Sequence, residues 1–519
     1  MAIVQIRDLT FTYPSAQVPT LFRLRLSVEE GEFVVLAGVS GSGKTTLLSL
    51  LKPMLAPRGT QTGEIRFDGQ PLSALSDRDA ATAIGFVMQE PEEQTVCDTV
   101  CSELCFGAEQ SGMEQGLMRR RVAETADVFG LTARLHALTS SLSGGQLQQV
   151  ALASVMTLSP RLLLLDEPLS SLDPIAARRF VEQLRMLNRE YGVTVVMATH
   201  RMEEVAEAAD RLLILENGRL FFDGPMAQAA DALCGHPLFD ALPQPLQVCK
   251  RLGCSVRPLT CRDGRAALEN VAITVCPAEE RAVGETVLCA RELWFRYTKQ
   301  GEDVLKGASL TVGAGDCLCL FGGNGSGKST LLTCLASLRK AYRGRVNGKR
   351  TVWLPQDVRA LFTAETVGEE LRRFAAQNGK TEEDIRSVAS RLGLTAGLSR
   401  HPMDISGGER QLAALALVWL AEADAVLLDE PSRSLDAATK ARLAAAIRAL
   451  TEDGKAVVIA THDTVFAAAV ATRCAMLFDG QLVCDEAPTA FFTNNRFYVP
   501  PVTRMTGALT VAALKEGTP

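Results

Sequence analysis

The sequence predicts an α/β chain built from two similar P-loop domains in tandem, and three observations carry that prediction. At 519 residues the chain exceeds one ordinary domain. It also repeats itself: GVSGSGKTT (38–46) returns as GGNGSGKST (322–330), LLLLDEP (162–168) as AVLLDEP (425–431), and ATH ending at His200 as ATH ending at His462. In each copy an apolar run, FVVLA (33–37) or CLCLF (317–321), enters a Gly-rich loop followed by leucines. That strand–loop–helix order is what a phosphate-binding loop requires.

The first domain is expected at 1–235 and the second at 285–519, with 236–284 a partly folded linker or extension of the first. The spacing from Ser143 to Asp166 is 23 residues, and from Ser406 to Asp429 it is 23 again. From Lys44 to Gln89 there are 45 residues, against 28 from Lys328 to Gln356, so the second copy lacks 17. GEIRFDG (63–69) is cut to GRVNG (344–348) at that place, as if a surface hairpin had been trimmed.

Net charge is −6, which gives no bulk attraction to nucleic acid, and none is expected as a partner. No apolar run reaches the roughly 18–20 residues of a membrane span, and the N-terminus does not read as a secretory leader. Fourteen cysteines contain no CxxC pair. Cys97, Cys101 and Cys105 fall at i, i+4, i+8, and either metal binding or small apolar packing on one helix face fits them.

The loops supply most candidate ligands for ATP. In the first copy these are Gly38, Ser40, Gly41, Gly43, Lys44, Thr45 and Thr46; in the second, Gly322, Asn324, Gly325, Gly327, Lys328, Ser329 and Thr330. Glycines let successive N–H groups curl around phosphate at a helix N-terminus. Lys44 and Lys328 are expected at the β/γ-phosphates, and Thr45 and Ser329 on Mg²⁺. Asp166 and Asp429 each end an apolar strand, where a carboxylate emerges to hold Mg²⁺. Glu167 and Glu430 follow them as candidate general bases for water. Gln89 and Gln356, after short strands, offer neutral amides to Mg²⁺ or water. His200 and His462 are placed to bond the γ-phosphate and orient the glutamates. Tyr13 and Tyr297 occupy matching positions in LTFTYP and LWFRYT, where a ring either stacks on adenine or packs the strand.

Together these elements resemble the nucleotide-binding domains of ABC ATPases, over nearly the whole of both halves. The most specific match is the signature, LSGGQ (142–146) and ISGGE (405–409). The resemblance implies for each domain a RecA-like core, a small antiparallel β subdomain and a helical subdomain. It further implies that each signature serves nucleotide bound to the other domain. One composite site then joins Lys44, Asp166, Glu167 and His200 to Ser406, Gly407 and Gly408. The other joins Lys328, Asp429, Glu430 and His462 to Ser143, Gly144 and Gly145. Both halves lie in one chain, so no homodimer is required. Ile405, Glu409 and Arg433 depart from the family pattern without removing a catalytic group.

QEPEEQTVCDTVCSELCFG (89–107) looks like the region of energy-coupling-factor transporter ATPases that faces the membrane coupling subunit. That places Glu92, Glu93 and Gln94 in or near the contact. NNRFYVPPVTRM (494–505) looks like that family's C-terminal motif, and PLFDALPQPLQVCKRLG (237–253) like a worn copy. The resemblance implies an importer for a vitamin or transition-metal ion. Its partners are an integral membrane coupling subunit and a small membrane substrate-binding subunit, and its place is the cytoplasmic face of the membrane. A sugar or peptide importer ATPase and a soluble twin-ATPase translation factor remain as alternatives.

Overall fold

The computed structural model describes residues 2–14, 16–276, 284–395 and 397–516. They form two units, Met1–Pro243 and Gln244–Pro519.

Each unit centres on a six-stranded sheet. In the first, the order is Arg219–Gly224, Arg211–Glu216, Phe33–Ala37, Thr194–Ala198, Leu162–Asp166, Ile84–Val87. All neighbours are parallel except the first pair. The second unit repeats this: Gln481–Glu486, Arg473–Phe478, Cys317–Phe321, Ala456–Ala460, Ala425–Asp429, Thr351–Leu354. The inner strands are buried at every residue, so they read as unbroken apolar runs, as strands covered on both faces must. A smaller antiparallel sheet lies beside each, formed by Leu21–Glu29, Ala2–Thr12, Thr60–Phe67 and Gln70–Pro71 in the first unit. In the second it is formed by Leu305–Gly313, Thr286–Phe295 and Arg343–Gly348. A helical layer completes each unit, with Val100–Gln110, Gln115–Val128 and Gly144–Met156 matched by Val367–Gln377, Glu382–Leu392 and Gly407–Leu420.

The 17 residues missing from the second copy are more than a hairpin. In the first unit they include the helix Asp77–Ala83, capped by Ser76. Beneath its C-terminal end lies buried Lys52, whose Nζ donates to the carbonyls of Ala80 (2.9 Å), Ala81 (3.2 Å) and Ile84. Burial lowers its pKa to about 8. In the second copy the residue equally far from the loop lysine is Ala336, so that copy has neither the helix nor its lysine.

The stretch expected as a linker is divided. Pro237–Ala241 belongs to the first unit, and residues 277–283 lie outside the described residues. Helices Gln244–Arg251 and Cys261–Leu268 and strand Ile273–Val275 belong to the second unit. They pack on its C-terminal helix Pro501–Thr506 and strand Leu514–Glu516. Val248, Cys249, Leu252, Leu268, Val502, Ala508 and Leu514 form their common core. Gln244 Oε1 accepts the N–H of Val502 at 2.9 Å. The two segments with similar sequence thus pack against one another.

Candidate nucleotide-binding sites

The site in each unit is built at the carboxyl ends of the parallel strands. Strand Phe33–Ala37 turns into the loop, and helix Lys44–Leu50 leaves it with Gly43 as N-cap at φ 98°. Gly327 repeats this at φ 102° before helix Lys328–Leu335. A left-handed cap backed by Leu21 leaves no room for a side chain, since a Cβ on Gly43 would fall 2.6 Å from Leu21 Cδ2. Lys44 is buried, and its Nζ donates to the loop carbonyls of Gly38 (2.9 Å) and Val39 (3.2 Å). Lys328 does the same with Gly322 (2.8 Å) and Gly323 (3.2 Å). The amine is therefore held against the start of the loop that carries Gly38, Ser40 and Gly41, or Gly322, Asn324 and Gly325.

Asp166 and Asp429 end their strands and are buried. The Asp166 carboxylate accepts from Thr45, and that of Asp429 from Ser329. Burial raises the pKa of both, to about 6 for Asp429, despite the opposing hydroxyl and lysine. Oδ1 of each aspartate is buried with no hydrogen-bond partner among the described residues. A buried carboxylate oxygen without a donor, beside a hydroxyl, suits a small hard cation such as Mg²⁺, and the donor set fits that ion.

Glu167 and Glu430 follow in left-handed backbone, φ 45° and 47°. Each N–H continues the ladder to the next strand, to Ala198 and Ala460 at 2.9 Å. This fixes the side chains against the histidines. His200 Nε2 lies 3.2 Å from Glu167 Oε1, and its backbone N–H donates to Oε2 at 3.1 Å. His462 Nδ1 lies 3.0 Å from Glu430 Oε2. Burial raises the Glu167 pKa to about 7, against the charge of Lys44 and the His200 N–H. A carboxylate poised there is matched to accepting a proton near neutrality.

Tyr13 and Tyr297 stand just past their strands rather than within them. Their hydroxyls bond Thr46 (3.1 Å) and Thr330 (2.8 Å), tying each ring to its phosphate loop. The ring of Tyr297 is 58% exposed and carries Arg339 at 4.8 Å. It lines a 480 Å³ cleft with Phe295, Arg296, Lys299, Lys340 and Tyr342. Gln89 and Gln356 are exposed, two residues beyond strands whose last pairs are Val87 with Leu165 and Leu354 with Leu428. They therefore reach the same edge as the aspartates, one strand over.

Ser143 and Ser406 are N-caps of the signature helices. Each forms a capping box, with Gln146 and with Glu409. The Gln-to-Glu departure thus keeps the cap and adds a charge. These helices pack in the helical layer of their own units, the first against Val100–Gln110.

Two expectations change. Gln94 is turned inward, accepting from Met88 N (2.9 Å) and donating to Phe86 O (3.2 Å), and so pins the end of strand Ile84–Val87. Glu92 and Glu93 alone face outward. Cys97 precedes the helix that carries Cys101 and Cys105, all three are half-buried, and no metal-holding group exists among the described residues. Two stapling residues escaped sequence reasoning. Buried Glu103 accepts from Val96 (3.0 Å) and Cys97 (2.9 Å), and buried Glu370 from Thr363 (2.7 Å) and Ala364 (2.9 Å). Both lie 14 residues after the glutamine, a repeat visible in the sequence.

A family model described as ABC transporter matches residues 21–170 and 305–433. The chain belongs to the ABC transporter family. This ABC ATPase is similar to a Bacillus thuringiensis subsp. konkukian protein named "Putative ABC transporter ATP-binding protein". The two are 38% identical over 97% of this chain and 95% of the relative. A Streptomyces coelicolor protein of similar name is 32% identical over 99% of this chain and 100% of its own length. Among solved structures, the archaeal ribosome recycling factor in complex with ribosomal stalk protein aligns with a TM-score of 0.61. It covers 94% of this chain and 92% of that one at 21% identity, which shows shared fold alone. As an ABC ATPase the chain binds and hydrolyses ATP.

Proposed function

We propose that this ATPase energises an importer of the energy-coupling-factor type for a vitamin or transition-metal ion. In this reading Lys44 and Lys328 bind the phosphates, and Tyr13 and Tyr297 bind the base. Asp166 with Thr45 and Asp429 with Ser329 hold Mg²⁺, which when bound screens phosphate charge. Glu167 and Glu430 take the proton of the attacking water, oriented by His200 and His462. Gln89 and Gln356 sense the phosphate and report it outward. The signature serines cap nucleotide held by the opposite half, so ATP closes a sandwich within one chain and hydrolysis opens it. Fusion sets the effective concentration of one half for the other.

The observation that carries the transporter reading is a set of exposed apolar side chains on the segments that follow Gln89. Val96 is 63% exposed and Leu138 54%, on segments joined by the Thr99–Leu138 bridge, with Phe106 on the adjoining helix. Exposed apolar side chains on the segments after a nucleotide sensor suit a membrane subunit's cytoplasmic helix better than ribosomal RNA. The partners are then an integral membrane coupling subunit and a small membrane substrate-binding subunit. No described helix is long and apolar enough to cross a membrane, so attachment at the cytoplasmic face would run through them. Affinity purification from detergent-solubilised membranes tests this. Recovery of two integral membrane proteins is expected, whereas co-purifying ribosomes would overturn the reading.

A further inference from the structure

The residue after each histidine differs in charge: Arg201 in the first unit, Asp463 in the second. Arg201 Nη1 donates to two carbonyls of the loop that follows Glu167, Leu169 O at 2.9 Å and Leu172 O at 2.7 Å. Its Nε is held by Glu204 Oε1 at 3.0 Å, and its backbone N–H by Thr199 Oγ1 at 3.0 Å. The Arg201 side chain is only 18% exposed, so both carbonyl bonds are largely sheltered from water. The clamped loop begins at Glu167, whose carbonyl accepts from Ser170 N at 3.1 Å, and its Leu172 side chain lies against Gly145 of the signature. Arg201 therefore holds the turn that begins at the candidate base.

Asp463 cannot do this, because a carboxylate donates nothing to a carbonyl. It takes Lys440 at 2.5 Å and caps its own helix through Phe466 N at 2.9 Å. The corresponding turn closes more loosely, Leu435 N to Ser432 O at 3.4 Å against 3.1 Å for Leu172 to Leu169, and Ser434 adopts φ 57°.

We infer that Arg201 is a positioning residue for hydrolysis at the Glu167 site, fixing the 169–172 turn so that Glu167 keeps its place through the cycle. This rests on Glu167 being the base. A clamp of two sheltered charge-assisted bonds acts on alignment in the transition state, so its loss falls on kcat rather than on ATP affinity.

The test uses the full chain with Glu430→Gln, so that turnover reports the first site. Adding Arg201→Gln is expected to lower kcat about tenfold with KM for ATP within about twofold. Arg201→Lys, which keeps one donor, is expected to recover part of the loss at unchanged melting temperature. Unchanged kcat in Arg201→Gln, or a loss matched by an equal rise in KM, overturns the inference. If Arg201→Gln fails to fold, wild-type kcat in Arg201→Lys overturns it equally. Glu167→Gln in the same background separates the two ideas: normal turnover there sinks the base assignment, whereas its loss beside an active Arg201→Gln sinks only the clamp.

Discussion

Between the first and second units, the sheet edge and the periphery have changed at different rates. At the edge the two agree closely, although His200 meets its glutamate through Nε2 and His462 through Nδ1. Lys44 and Lys328 grip the same two loop carbonyls, and both glutamates leave the strand at the same positive φ beside a histidine. Away from the edge, the first unit has a helix over Lys52 that the second lacks. Charge is reversed after the histidine, and the signature cap gains a carboxylate. Phosphate chemistry tolerates little displacement, because misplacing a reacting group by an ångström costs about a hundredfold. Surface connections carry no such penalty.

The first way to break this parity is to remove both candidate bases. Glu167→Gln with Glu430→Gln is expected to keep ATP binding while turnover falls by about 10²–10⁴, checked by nucleotide retention beside phosphate release. Each single change then tells whether the halves share the work. Next come the lysines. Lys44→Ala and Lys328→Ala each remove a charged donor, about 1.5–3 kcal/mol, so affinity at the altered site should drop roughly 10–150-fold. Calorimetric titration should show one weakened site of two in each variant.

A smaller effect sharpens the comparison through pH. The Glu167 pKa is raised to about 7, so below pH 7 the group is protonated and cannot accept a proton. In the Glu430→Gln chain, kcat/KM is expected to fall about tenfold per unit as pH drops below 7, and to level off above it. Smallest of all, Glu409→Gln restores the first unit's capping residue. The box survives with an amide, so the melting temperature should move by the equivalent of less than about 1 kcal/mol, with turnover unchanged within about twofold.

Much of the site was legible because its geometry is local. Lys44, Thr45 and Asp166 are placed by a strand, a turn and a helix whose pattern is written in consecutive residues. Tyr13 lies beyond its strand, but its distance from the loop is the same as that of Tyr297, so register alone pairs the two candidates. What escaped depends on side-chain direction. Gln94 follows two exposed acids, and nothing in the sequence says that it alone turns back to the strand. Glu103 looks like one more helix-surface acid until the loop folds over it. The 17-residue gap read as a trimmed hairpin because an amphipathic turn of seven residues gives too short a period to announce a helix.

The small module of Gln244–Val275 with Pro501–Glu516 bears on how the chain is made. Its first half is synthesised midway along the chain and its second half only after the second cassette. On the ribosome, Val248, Leu252 and Leu268 wait without their partners while the whole second cassette is built. The module closes only when Val502 and Leu514 emerge. A stop codon between Asn495 and Val502 would therefore leave every residue assigned to the two sites in place and an apolar face uncovered in the middle of the polypeptide. Quality control would meet that fault as an aggregating or protease-sensitive full-length-looking chain, not as a dead enzyme.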